Sequence, residues 1–282
     1  MLEQWTVAVD GPTAGVTTAL SAALSPLAGP LAWGATVRGS LTFLEYRFEV
    51  AAPPEAVGSA LAGALTDWIV GVRQPDRLRR LVGQRYTGFG PEEQTRIIAL
   101  AQARLASGLD GPTGRRGRIR RCLVEYLGCH RCVVLDGFVT FRLKDYMDEL
   151  ATAVDQAVED FVLEREYREF LDLLRHVVES RGDRPPRVHC LLQPDGLFSL
   201  EDDSGMGLGP DAEVADLAEA RAVGTEDLLV SALVTLAPRR VELHLPGGGA
   251  LSGDALTTLA EVFAGAVDVC DGCPRCAHRA RG

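Results

Sequence analysis

Lysine is all but missing from this chain: Lys144 is the sole lysine among 29 basic residues. The bias reads as one of genome composition before one of function. Aromatic residues are few, at 6%, which leaves the core to Leu, Val and Ala. Long apolar runs are missing too. The stretch from Val16 to Val37 is broken by Pro26, Gly29, Pro30 and Gly34. It reads as helix, turn and loop, and Leu228 to Ala237 falls far short of the roughly 20 apolar residues a membrane-spanning helix needs. Met1 to Trp5 carry no positive charge ahead of an apolar stretch, so no secretory signal is expected and the chain reads as cytoplasmic. An even cysteine count is lacking as well. Of seven cysteines, six form two tight groups, Cys122, Cys129 and Cys132, then Cys270, Cys273 and Cys276. A secreted disulfide scaffold is usually shorter and even-numbered, whereas close Cys-x-x-Cys pairs favour metal or redox chemistry.

What is present describes a folded globular chain. With 282 residues, 46% hydrophobic and 24% charged, it can bury the core of one large domain or two modest ones. The net charge of −10 hides an asymmetry, because residues 71–121 hold twelve arginines against four acids. An acidic excess opposes general nucleic-acid affinity, while a local basic patch can still attract phosphates or an acidic partner.

The fold class expected is α/β (α+β): an N-terminal α/β part, a helical middle and a small C-terminal mixed sheet with helices. Trp5, Val7 and Val9 alternate as in a half-buried strand, and so do Leu44, Tyr46, Phe48 and Val50. Pro91, Glu92 and Glu93 suit a helix N-terminus. Val133 to Phe141 reads as a hairpin around Asp136–Gly137. Leu143, Met147, Leu150, Val154, Ala157, Phe161, Phe170, Leu174 and Val177 mark an apolar stripe on one long helix or two consecutive ones. A second hairpin is expected around Pro194–Gly196, then a helix near 226–236, a strand from Val241 to Leu245, a helix near 257–263 and a last strand near 266–269. The regions drawn are 1–110, N-terminal α/β and helical; 111–182, a basic segment, hairpin and long amphipathic helix; and 183–282, an α/β domain with a Cys-rich tail.

The strongest chemical signal is Cys270-x-x-Cys273-x-x-Cys276-x-His278. Three thiolates and an imidazole within nine residues, with Gly272 and Pro274 to turn the backbone, can converge on one tetrahedral ion. Soft sulfur selects zinc, or iron in an iron–sulfur cluster, over magnesium or calcium. Cys129 and Cys132 can add ligands to the same ion, act as a redox pair, or be plain small residues. Cys122 and Cys190 read as buried small hydrophobes. Gly11 to Thr18 resembles a phosphate loop, but its glycines are one residue too close and Val16 stands where lysine should be. Arg115, Arg116, Arg118, Arg120 and Arg121 can track nucleic-acid phosphates, yet lack interleaved aromatics for stacking. Glu201 to Gly205 reads as a turn and not a calcium loop. His176, His189 and His244 read as structural or surface histidines, and no catalytic constellation can be argued from spacing.

Asp136 to Tyr146, the helix after it with Glu164 to Phe170, and Glu226 to Arg240 running into the strand with His244 resemble the YtxC family of sporulation proteins. The resemblance implies a cytoplasmic protein of endospore-forming bacteria and brings no reaction or catalytic residue with it. The chain thus reads as a binding or scaffold protein with a structural metal site, zinc first, and an unidentified protein partner. A redox or iron–sulfur enzyme using the cysteines is one alternative. Nucleic-acid binding through Arg115 to Arg121 is the other.

Overall fold

The computed structural model describes residues 2–11, 13–27, 31–49, 53–107, 113–193, 198–208, 224–245 and 251–279. The chain divides into two compact units, Met1–Val162 and Leu163–Gly282. Each contains a four-stranded mixed sheet, and helices fill the middle of the chain. The class is therefore mixed α/β, as the patterning indicates.

The first unit runs β1 (Leu2–Asp10), α1 (Ala14–Leu24), β2 (Ala32–Arg38), β3 (Leu41–Glu49), α2 (Pro54–Trp68), one π-helical turn (Ile69–Arg73), α3 (Gln74–Arg85), α4 (Pro91–Ala106), α5 (Arg115–Cys129), β4 (Cys132–Val134), α6 (Leu135–Arg142) and the start of α7 (Lys144–Ser180). The alternating residues Trp5, Val7 and Val9 of β1, and Leu44, Tyr46 and Phe48 of β3, are all buried. The two strands pair antiparallel from Leu2 opposite Glu49 to Asp10 opposite Leu41. They share one core with Leu20, Leu61, Leu65, Ile97, Ile119, Leu150 and Val154 from the helices. The α4 start matches its sequence signature, since the Glu93 carboxylate accepts the Gly90 amide at 2.7 Å.

Three features of the sequence reading are corrected. Strand β2 takes up the end of the stretch read as helix, turn and loop and runs one residue beyond it. It is an edge strand with all seven residues exposed, so no buried face imposes alternation on it. The hairpin around Asp136–Gly137 does not form. Instead β4 pairs parallel with β1 and leads into α6. Asp136 sits in the first turn of α6, where negative charge suits the helix dipole. Its carboxylate accepts the Asp10 amide at 3.0 Å and the guanidiniums of Arg73 and Arg77. Those partners are at least 59 residues away in sequence, so a local turn rule cannot anticipate them. Finally, α7 is one helix of 37 residues, but its stripe is misdrawn beyond Phe161. Leu171 and Val178 are buried there, while Phe170 and Val177 are exposed; the charged interval Glu164 to Glu169 carries no apolar phase across.

The second unit holds the rest of α7, then β5 (Val188–Leu192), β6 (Phe198–Glu201), α8 (Thr225–Leu236), β7 (Val241–His244), α9 (Gly253–Val262), β8 (Val267–Val269) and α10 (Pro274–Arg279). The sheet order is β6-β5-β7-β8. Strands β5 and β6 form the expected antiparallel pair, although the Pro194–Gly196 turn lies outside the described residues. Strands β5, β7 and β8 are parallel. Val188, Cys190, Leu192, Val241 and Leu243 share a core with Leu171, Leu229, Leu233, Leu259 and Val262. Side chains alternate across a strand, so His189, Glu242 and His244 lie on the opposite face.

One buried cation fixes the packing of α5 in the first unit. The Arg115 side chain is 3% exposed, and it donates to the Leu105 carbonyl and to Glu149 Oε1 at 2.7 Å. Arg118 donates to Glu149 Oε2 at 2.8 Å. Burial draws the Glu149 carboxyl upward, but the two guanidiniums outweigh it and hold it below the usual carboxylate value. A depressed acid contributes stability that is present above its unfolded-state value and is lost as pH falls through its folded-state value. Replacing Glu149 by Ala strands the Arg115 cation and is expected to cost about 2 kcal/mol, less than for a fully buried pair because Glu149 stays partly exposed. Denaturant titration measures this, and Glu149→Gln is expected to flatten the acid side of the stability profile.

Candidate metal centre

The tail of the second unit folds back onto the polar face of its sheet. Strand β7 runs beside β8 with Val241 opposite Val267 and Leu243 opposite Val269. The Cys270 amide extends that ladder by donating to the Leu243 carbonyl at 2.9 Å. The next residue along each strand is His244 on one and Cys270 on the other, so the register sets them side by side. Gly272, at φ +125°, then turns the chain in a region that L side chains adopt only with strain. Pro274 opens α10 at its first position, where a missing amide hydrogen costs nothing. That helix carries Cys276 one turn beyond Cys273.

His244, Cys270, Cys273 and Cys276 thereby offer four ligand atoms within 4.8 Å of one another. His244 Nδ1 lies 3.4 Å from Cys273 Sγ and 3.5 Å from Cys276 Sγ. Cys276 Sγ lies 3.9 Å from both Cys273 Sγ and Cys270 Sγ. The Gly272 amide donates to Cys270 Sγ at 3.4 Å. This group could hold a metal ion. His244 is buried, and desolvation pushes its imidazole below the usual histidine value, against the pull of Glu242. The Gly272 amide draws the Cys270 thiol down, but burial and the neighbouring thiols outweigh it and push it up to about 11. For Cys273 the balance reverses. Burial opposes ionisation, yet the Cys276 amide and the Cys270 thiol hold it below the ordinary thiol value.

Surrounding groups brace the cluster. Arg275 of α10 donates to Glu201 Oε2 at 3.2 Å and to the carbonyls of Asp202 and Asp203 at 3.2 and 2.7 Å. Glu201 ends β6, and Asp202 and Asp203 lead the turn after it that the sequence indicates. Asp202 Oδ1 accepts the Ser204 and Met206 amides there, at 2.8 and 2.9 Å.

The structure brings the three tail cysteines together beside His244. The side chain of His278, expected as the fourth ligand, lies outside the described residues, and the imidazole at the cluster belongs to His244. Spacing alone missed it because 26 residues separate it from Cys270; only the pairing of β7 with β8 brings the two together. Cys129 and Cys132 lie in the first unit, at the end of α5 and the start of β4, and both are exposed. Among the described residues neither joins a group of three or more ligand atoms. Cys132 instead lines a cleft of about 770 Å³ with Tyr126, His130, Phe138 and Arg142. Cys190 is buried, as the sequence indicates, and Cys122 is half-buried.

The arginine run is taken up within its own unit. Arg115 and Arg118 pair with Glu149, Arg116 with Asp67, and Arg120 with Ser59 Oγ. The glycine turn after β1 has Gly11 at φ +88°, which a tight strand-to-helix connection explains. His176 is exposed on α7. Among the described residues no helix is long and apolar enough to cross a membrane.

Thiol reactivity separates these environments. Burial pushes the Cys190 thiol up to about 12, so a short iodoacetamide pulse on the folded protein is expected to label Cys129 and Cys132 and to spare Cys190 until unfolding. Peptide mass spectrometry reads the pattern.

Comparison with known proteins places this architecture in a family. The chain is 23% identical over 212 residues to the uncharacterised protein YtxC of Bacillus subtilis (strain 168), covering 70% of this chain and 72% of the relative. No solved structure matches it. The model of the YtxC-like family matches residues 59–268, which span most of both units, include His189, Asp203, Glu242 and His244, and stop just before Cys270. The chain belongs to the YtxC-like family.

Proposed function

We propose that the second unit is a zinc-binding module, in which His244, Cys270, Cys273 and Cys276 hold one ion as a structural cross-link, and that the protein acts by binding or scaffolding and not by catalysis. The donor spacing carries this reading. A tetrahedral zinc with bonds of about 2.3 Å to sulfur and about 2.0–2.1 Å to nitrogen sets sulfurs about 3.8 Å apart and sulfur from nitrogen about 3.6 Å. The corresponding separations here are 3.9 and 3.9 Å, then 3.4 and 3.5 Å. Soft thiolates disfavour magnesium and calcium. Four protein donors fill a tetrahedron and leave no position for water or substrate, as in structural and not catalytic zinc sites. Metal binding of this kind contributes folding energy directly.

Protein purified without chelator is expected to be colourless and to carry about one zinc per chain by elemental analysis. Cys273→Ser and Cys276→Ser are expected to lose the metal, and chelation is expected to lower the Tm of the wild type. Iron with visible absorption would instead make this a redox centre. A metal-free wild-type chain whose tail thiols alkylate as fast as Cys129 would remove the reading altogether.

We further propose, on the family resemblance, a cytoplasmic protein of sporulating bacteria, and, on the scaffold reading, a protein partner. Disruption of its gene in the host is expected to lower the yield of heat-resistant spores while vegetative growth continues. An unchanged yield would sever that association.

A further inference from the structure

The face of His244 turned away from the cysteines meets a second imidazole. His244 Nε2 lies 3.0 Å from His189 Nδ1, and His189 Nε2 lies 3.0 Å from Asp203 Oδ1. Both rings are buried, and Asp203 is exposed at the far end. Glu242 approaches the same pair more loosely, at 3.5 Å from His189 Nδ1 and 3.9 Å from His244 Nε2. Arg187 lies 3.9 Å from the Asp203 carboxylate and 3.7 Å from that of Glu242.

With an ion on His244 Nδ1, hydrogen-bond polarity along this line is fixed from its two ends. A carboxylate only accepts, so the proton between His189 and Asp203 belongs to His189 Nε2. A histidine that binds metal through Nδ1 carries its remaining proton on Nε2. His244 Nε2–H therefore donates to His189 Nδ1, and His189 Nε2–H donates to Asp203. Each ring nitrogen along the line then has one role, and neither imidazole N–H is left without an acceptor.

We propose that His189 and Asp203 are positioning residues of the metal centre, a relay that locks His244 in the tautomer and ring orientation needed to present Nδ1 to the ion. The proposal rests on the zinc reading above and deepens it, by assigning the residues that tune metal affinity. Strand pairing supplies the geometry, since β5 runs beside β7 with His189 opposite Glu242. His189 thus stands on the same face as His244, two residues back in register on the neighbouring strand. The relay also joins the centre to the turn after β6, whose carbonyls hold Arg275 and with it α10. Ligands and bracing therefore form one closed circuit.

Zinc affinity measured by competition with a chromophoric chelator tests this on the full chain. His189→Ala removes the acceptor and is expected to weaken zinc roughly 10- to 100-fold, with the Tm of the metal-free protein little changed. Asp203→Ala is expected to have a smaller effect of the same sign. His189→Gln offers an amide oxygen near the position of Nδ1 and is expected to recover part of the loss. With cobalt(II) in place of zinc, His189→Ala is expected to alter the ligand-field bands, which a merely structural defect elsewhere would leave alone. Affinity and spectrum in His189→Ala equal to those of the wild type would overturn the relay while leaving the zinc module standing. Two zinc ions per wild-type chain, one of them lost in His189→Ala, would also overturn it, by making His189, Glu242 and His244 ligands of a second ion. Absence of zinc from the wild type removes relay and module together.

Discussion

The register of β7 against β8 is the constraint from which the candidate centre follows. Parallel pairing holds successive residues of two strands level, so Leu243 beside Val269 puts His244 beside Cys270. A slip of one residue would reverse the faces of β7, turning Val241 and Leu243 out of the core and His244 into it. The buried valines and leucines on the inner face therefore police the position of the histidine on the outer face. The centre inherits its precision from the hydrophobic core and needs no long-range specification of its own. Only the short step from Cys270 to Cys276 remains, and Gly272 and Pro274 settle it locally.

That division explains which parts of the molecule could be read from the sequence. Whatever depends on neighbours a few residues away was legible: the alternation in β1 and β3, the cap of α4, the thiol spacing at 270, 273 and 276. Whatever depends on partners brought in by the fold was not. Asp136–Gly137 looks like a hairpin turn until Arg73, Arg77 and the Asp10 amide converge on the carboxylate. The arginine run gives no sign in sequence that Arg115 and Arg118 share Glu149 or that Arg116 meets Asp67. His244 looks like an ordinary strand histidine until β8 arrives with Cys270. An edge strand such as β2, exposed along its whole length, leaves no periodic trace because no core filters its residues.

The two faces of the second sheet pose opposite physical problems, and this difference gives the tail its importance. The inner face buries Val188, Cys190, Val241 and Leu243 against helices, and area removed from water stabilises it. The outer face carries His189 and His244, both buried, where polar groups cost free energy unless each finds a partner. The element that covers the cluster is α10, six residues long. A helix of that length does not hold itself together in water, because nucleation outweighs the few hydrogen bonds it closes. Arg275 gives it one anchor, and thiols that converge on an ion would give it the rest. A short, poorly packed segment closing a polar face is the situation in which a bound metal contributes most, because there is little apolar area to do the same work. Residues that would otherwise make the outer face a liability, two imidazoles and a carboxylate in a line, would then become the scaffold on which a metal ligand is aimed.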